Sequence, residues 1–348
     1  MSPQALVTGG AGFIGVNLAA ALAADGWKVH VLDLLARPGA EWNLSWLLSH
    51  YPDRVSFTRA DIRDFPAVLE AVRPADVVFH LAAQVAVTTS LVDPRTDFEV
   101  NALGTLNVLE AIRQSGGGRP LLYTSTNKVY GPMAGIPVIE EATRYRYVDR
   151  PWGVDESQPL DFHSPYGCSK GAADQYVRDY ARIFGLPTVV FRMSCVYGPH
   201  QFGTEDQGWM AHFVISALAG RPITIYGDGK QVRDVLFVTD LVAAMRAAVD
   251  RIGVTAGQVY NIGGGPGNTL SVWQEFGPLL ADILGMPLPP PTFGPWRPGD
   301  QKVYVSDIRR TARDLGWRPQ VGVREGLRLL VDWVRAHTDQ LTADRTAR

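Results

Sequence analysis

The chain has 348 residues, with 33 lysines and arginines against 35 aspartates and glutamates and a formal net charge of -2. So balanced a chain offers no basic field to a nucleic-acid backbone and no polybasic run to a membrane surface. With 46% hydrophobic residues and no apolar run approaching the ~20 residues of a membrane span, it reads as a soluble globular protein of about two domains.

Taken in chain order, the first half alternates short apolar strands with helices. Strands are expected at 5–8, 28–33, 55–59, 77–81, 120–123 and 187–192, and helices at 15–24, 65–72, 93–114 and 165–184. This alternation predicts a parallel sheet covered by helices on both faces, with right-handed crossovers. From Tyr197 onward Pro and Gly become frequent, as in Gly227-Asp228-Gly229 and 287–298. Helices are expected at 210–219, 239–249, 271–284 and 324–336, and one more strand at 259–262 that returns to the first sheet. The last dozen residues are polar and expected to fray. The division predicted is 1–195 for a dinucleotide-binding domain, with a returning segment near 234–263. The segments 196–233 and 264–340 form a smaller, discontinuous substrate domain. Two cysteines, Cys168 and Cys195, and an N-terminus without a secretory pattern point to a cytoplasmic protein.

Gly9, Gly12 and Gly15 lie between the first strand and the first helix, in Thr8-Gly9-Gly10-Ala11-Gly12-Phe13-Ile14-Gly15. Side chains at these glycines would block the turn, the approach of a pyrophosphate or the helix–strand packing. The helix N-terminus beyond them offers free N–H groups and a positive dipole end to phosphates. A glycine turn alone also occurs without any ligand. Here Asp33 ends the second strand about 20 residues on, where an acid takes adenosine ribose hydroxyls. Its charge repels a 2′-phosphate, which favours NAD over NADP. Phe13 and Ile14 in the turn, Asp61-Ile62 after the third strand and Leu81-Ala82-Ala83-Gln84 after the fourth are further cofactor candidates, with Asn101. For Asp61 alone a helix N-cap is an equally good account. The site therefore reads as a Rossmann-type dinucleotide crevice.

Tyr166 and Lys170, in Ser164-Pro165-Tyr166-Gly167-Cys168-Ser169-Lys170, are four apart and project from one helix face. A phenol near ~10 is a poor base, and a neighbouring ammonium is expected to lower it. Thr126, just past a strand, is placed to donate to the substrate oxygen while Tyr166 takes its proton and hydride leaves for NAD. Alone, such a tyrosine–lysine pair reads as packing; joined to the glycine turn and Asp33 it reads as the centre of an alcohol oxidation.

These motifs, with Ser125–Gly131 (STNKVYG) and Arg233-Asp234, resemble the extended short-chain dehydrogenase/reductases that modify nucleotide sugars. The resemblance spans nearly the whole chain. It implies Thr126, Tyr166 and Lys170 as the catalytic set, a tightly held and recycled NAD, and a homodimer or homotetramer formed through helices near 93–114 and 165–184. Within that family Asn43-Leu44-Ser45-Trp46, 161–176, 182–191 and Gln207-Gly208-Trp209 resemble the group that inverts C2 of CDP-linked dideoxyhexoses through a 2-keto intermediate. Asn127 and Lys128 stand where the family's dehydratases carry acids, which argues against elimination. Cys195 stands where many relatives carry Asn for the diphosphate, and is expected to pack rather than react.

The expected substrate is a nucleotide sugar, a CDP-hexose by preference. Arg233 and Arg297 are candidate diphosphate clamps, although an Arg233–Asp234 pair would be a purely structural alternative. Gln84, Thr88, Asn127, Gln201 and Tyr226, with Thr126, complete the substrate candidates. No metal is expected. A UDP-sugar 4-epimerase, a nucleotide-sugar reductase and a non-catalytic NAD module remain as alternatives.

Overall fold

The computed structural model describes residues 2–297 and 299–343. Seven parallel strands form the central sheet in the order Gln258–Ile262, Thr188–Met193, Leu121–Thr126, Val77–His80, Gln4–Thr8, Lys28–Asp33, Val55–Arg59. It is a Rossmann-type α/β sheet, buried on both faces. Val77, Val78 and Phe79 are at most 2% exposed, as a strand covered on both faces requires. The chain runs outward from Gln4–Thr8 to one side, then restarts at Val77–His80 on the other. A crevice opens at such a switch, outside the carboxyl ends of the two strands.

Two apolar layers flank the sheet. One holds Val16, Leu22, Leu47, Leu241 and Met245; the other holds Val68, Leu109, Ile112, Val177 and Tyr180. A third core, built on Met210, Phe213, Phe276, Leu330 and Val331, belongs to the C-terminal part. There a smaller mixed sheet centres on Val232–Phe237, paired with Cys195–Tyr197, Thr269–Ser271 and Val303–Tyr304. The insert 131–163 joins this part. Met133, Ile136, Tyr145, Tyr147 and Val154 pack with Val232, Val303, Tyr304 and Val305 rather than on the central sheet.

Three expectations about helices differ from the structure. The helix expected over 93–114 starts at Pro94, capped by the Asp93 side chain on the Thr96 N–H at 3.0 Å. It widens into a π turn over Glu99–Leu103 before continuing as Gly104–Gln114. Asn101, in that wide turn, holds the loop after Val77–His80, and π turns are concentrated at such sites. The helix expected from Ser271 starts at Phe276. Thr269–Ser271 pairs instead with Val232–Asp234, and reciprocal bonds between Ser271 and Glu275 close the intervening loop. Fraying is expected over the last dozen residues, but Thr338–Ala343 is helical; 344–348 lie outside the described residues. Among the described residues no helix is long and apolar enough to cross a membrane.

Candidate active site

A groove of about 460 Å3 lies at the carboxyl ends of Gln4–Thr8, Lys28–Asp33 and Val77–His80. Gly9, Gly12, Phe13, Ile14, Gly15, Asp33, Asp61, Ile62, Leu81, Ala82, Ala83, Gln84, Tyr166 and Lys170 all line it. Gly9 has φ +70°, and a Cβ there would lie 2.6 Å from the Ala82 nitrogen. A Cβ on Gly15 would run into the Gly9 carbonyl. The helix Phe13–Ala24 starts at Gly12 with no side chain capping its N–H groups and no acid in its first turn. Free donors and a positive dipole end therefore face the groove, as a dinucleotide pyrophosphate requires.

Asp33 accepts the Leu35 N–H at 2.8 Å and the Ala11 N–H at 3.0 Å. Burial pushes its carboxyl up, and these backbone N–H groups pull it back. Asp61 is not the cap of the following helix; Asp64 is. Instead Asp61 is held by Arg63 in a 2.7 Å ion pair that lowers its carboxyl, and Arg63 also reaches Glu99. Asn101 does not reach the groove. Its amide is spent on Gln84, Asp97 and Ser169, so it fixes the Leu81–Gln84 loop from behind.

The helix Ser164–Phe184 carries Tyr166 and Lys170 inward, 9% and 3% exposed. Its first residue, Ser164, holds φ 67° and caps the Gly167 N–H, and the Tyr166 N–H donates to Ser90 Oγ at 3.1 Å. Burial pushes the Tyr166 phenol up to about 12; a hydrogen bond with Thr126 pulls it down and Asp97 adds to the rise. The protein alone therefore does not lower the phenol through Lys170, contrary to expectation. Lys170 Nζ donates to the Thr124 carbonyl at 2.6 Å and sits 4.3 Å over the Tyr123 ring. Burial brings it down to about 7, opposed by the charges of Asp174 and Asp97. Desolvation thus sets the direction for both groups. Thr126 ends its strand, as the chemistry needs, although the strand runs three residues further than expected.

The substrate candidates separate into three places. Gln84 and Gln201 line the groove. Gln201 is 3% exposed, and its Oε1 has no hydrogen-bond partner among the described residues, as is true of Thr88 Oγ1 on Val87–Val92. Asn127 and Arg233 lie in a second cluster outside the groove lining. Arg233 Nη2 and Lys128 Nζ share Asp300 Oδ1 at 2.7 and 3.2 Å. Against burial, Arg233 and then Lys128 hold that carboxyl down to about 2. The Arg233–Asp234 alternative is set aside, because Asp234 takes Ser194 and the Gly265 N–H instead. Asn127 Nδ2 reaches Gln301 Oε1 at 3.4 Å, and Gln301 donates to the Gly131 carbonyl at 2.6 Å. Tyr226 and Arg297 form a third group. The Arg297 guanidinium lies 4.3 Å over the Tyr226 ring, and both bind Glu205.

Sequence reasoning missed Arg37, Asn43 and His200, which also line the groove. Asn43 belongs to a segment that carries the family resemblance, but polarity inside an unassigned helix gave no sign of its role. Among the described residues no cluster of His, Cys, Asp and Glu could hold a metal. Both cysteines are free thiols, and burial pushes Cys195 up, away from nucleophilic use.

The sheet order, the glycine turn and the buried tyrosine–lysine pair define a dinucleotide-dependent enzyme of the extended short-chain dehydrogenase/reductase class. The chain belongs to the NAD dependent epimerase/dehydratase family, whose model matches residues 5–263, and its dinucleotide is NAD. It is 46% identical over 336 residues to CDP-paratose 2-epimerase of Salmonella typhi, covering 94% of this chain and 98% of that one. UDP-glucose 4-epimerase of Thermus thermophilus, solved in complex with NAD, superposes with a TM-score of 0.78 at 37% identity, covering 95% and 99% of the two chains. DesIV of Streptomyces venezuelae, a dTDP-glucose 4,6-dehydratase solved with NAD and TYD bound, gives a TM-score of 0.84 at 30% identity, with 98% and 100% covered.

If Asp33, which lines this groove, takes the adenosine ribose hydroxyls, Asp33→Ala should weaken NAD about tenfold or more and narrow its preference over NADP. Titration of the cofactor-stripped protein with each dinucleotide checks this; unchanged NAD affinity would contradict the assignment.

Proposed function

We propose that the chain inverts C2 of a CDP-linked hexose, of the paratose-to-tyvelose type, by oxidation to a 2-keto sugar and reduction on the opposite face. The observation that carries this is what stands after the catalytic threonine. Asn127 is an amide and Lys128 an ammonium, and the acid paired with Lys128, Asp300, is clamped in its ionised form. None of the three is a carboxylic acid ready to expel water, so elimination is disfavoured and a redox-neutral inversion fits. The 46% identical relative named CDP-paratose 2-epimerase supports the choice of carbon and nucleotide.

In this reading Thr126 donates to the sugar oxygen, and Tyr166 takes its proton, holds it on Oη and returns it after the sugar has turned. With its phenol pushed up to about 12 by burial, Tyr166 rests protonated and needs added positive charge to reach the phenolate that takes the sugar's proton. NAD supplies the hydride acceptor and, in its oxidised form, a positive charge in the groove that Tyr166 and Lys170 line. Lys170 fixes the helix against the Thr124 carbonyl. Gly9, Gly12, Phe13, Ile14, Gly15, Asp33, Asp61, Ile62 and Leu81–Gln84 hold the cofactor. Arg233 takes the diphosphate only by giving up Asp300, and Arg297 only by giving up the Glu205 carbonyl and Asp206. The exposed apolar side chains Val92, Phe98, Ile183 and Phe184 would pack on a second copy in a cytoplasmic homo-oligomer.

The test is a panel of CDP-, UDP-, GDP- and dTDP-hexoses with purified enzyme and no added NAD, read by NMR of the product. A CDP-hexose inverted at C2 without net NADH is expected. Inversion of a UDP-sugar at C4, which the 37% identical Thermus neighbour would favour, overturns the choice of carbon and nucleotide. Net NADH turnover overturns the epimerase reading as a whole.

A further inference from the structure

Two segments that belong to different parts of the fold meet along the rim of the cofactor groove. One is 35–43, between Lys28–Asp33 and the body of the helix Ala40–His50. The other is 200–207, in the connection from the central sheet to the C-terminal core. Arg37, Asn43, His200 and Gln207 line the groove at this meeting. Arg37 Nη2 donates to Gln207 Oε1 at 3.2 Å.

Asn43 makes the closest junction. It is 2% exposed, and its Nδ2 donates to the Ala11 carbonyl at 3.1 Å and the His200 carbonyl at 3.3 Å. Two carbonyl partners fix which end of the amide is nitrogen. Oδ1 then accepts from His200 Nδ1 at 3.2 Å. Ala11 lies in the glycine turn itself, and its N–H is already held by Asp33. One residue of that turn is thus tied on its donor side to the ribose-binding acid and on its acceptor side, through Asn43, to the opposite rim.

Both segments carry backbone that needs such support. Leu35 and His200 sit at φ 61° and 68°, two of only four non-glycine residues in the left-handed region among those described. Strain of this kind persists where the surroundings over-determine it. For His200 the surroundings are aromatic. Trp42 and Trp46 lie 5.6 and 4.4 Å from its ring, and Trp333, on the helix Val323–Ala336, 5.5 Å.

We propose that Asn43 is the positioning residue of a clasp, 35–43 against 200–207, that keeps NAD in the groove between the two hydride transfers. A redox-neutral inversion needs the same dinucleotide for both transfers, and a cofactor that escaped in its reduced form would strand the keto sugar. The clasp draws its purpose from the epimerase reading. Its test uses no sugar, so failure of that reading and failure of the clasp are seen separately.

The experiment follows release of carbon-14-labelled NAD from the purified full-length protein into excess unlabelled NAD. NAD content after gel filtration is measured alongside. Asn43→Ala should release the label about tenfold faster and retain less NAD. Release at the wild-type rate from a folded Asn43→Ala overturns the proposal. Should that variant not fold, Arg37→Ala, whose side chain lies on the exposed rim, reads the same clasp. A several-fold faster release there supports it, and unchanged release overturns it.

Discussion

Replacing Tyr166 by phenylalanine should cut turnover by about a thousandfold and leave the resident cofactor in place. The variant removes one oxygen and keeps the ring, which is already 9% exposed and packed. The catalytic helix is anchored by the Tyr166 N–H on Ser90, by Lys170 on Thr124 and by Ser169 on Asp97, and none of these needs the phenol. The oxygen's hydrogen-bond partner is Thr126. In the proposed mechanism its loss leaves a threonine that would still polarise the sugar oxygen but would not take a proton away and return it. The loss should therefore fall on kcat rather than KM, because nothing that holds nucleotide or cofactor has changed. Single-turnover kinetics on the sugar that the panel identifies, with NAD content measured on the same sample, check both halves. Turnover near that of the wild type would remove the tyrosine from the mechanism.

What could be read from residues alone follows from which interactions are local. The strand–glycine–helix turn is a contiguous pattern and Asp33 closes the very next strand, so Gly9, Gly12, Gly15 and Asp33 were legible, and all line the groove. Tyr166 and Lys170 share a face because of helical periodicity, which is equally local. Their proton affinities are not. They depend on how much protein covers them, and burial reverses the expected effect of lysine on the phenol. The substrate arginines failed to gather for a similar reason. Arg233 finds Asp300, 67 residues on, and Arg297 stacks on Tyr226, pairings that no spacing rule announces. Asn43 was hidden for the same cause: its partners are 32 and 157 residues away. The insert 131–163 lies in sequence between two elements of the central sheet, yet its apolar side chains cluster with Val232, Val303, Tyr304 and Val305, distant in sequence.

Asp174→Ala should destabilise the fold by about 3–5 kcal/mol, the largest stability loss expected of a single polar substitution here. Asp174 lies one turn beyond Lys170 on the catalytic helix and is fully buried. Arg192, on Thr188–Met193, grips both its oxygens at 2.9 Å, and Ser125 donates to Oδ2 at 2.8 Å. The same guanidinium reaches the Tyr130 hydroxyl at 3.2 Å, which in turn donates to Asn261 on Gln258–Ile262 at 2.7 Å. One carboxylate therefore links the helix to three adjacent strands of the sheet. Truncating it leaves a guanidinium that is 2% exposed with no counter-charge, and an uncompensated buried charge costs more than the pair gained by forming. Urea unfolding curves measure the loss. The double variant Asp174→Leu/Arg192→Met separates the two possible origins of it. If the cost is the orphaned charge, the double variant should recover most of the stability; if it is the lost link between helix and strands, it should not. Asp174 also raises the proton affinity of Lys170 from one turn away. Any folded Asp174 variant should accordingly hold Lys170 lower still, and a basic limb in its pH–rate profile displaced to lower pH would register that change independently of stability.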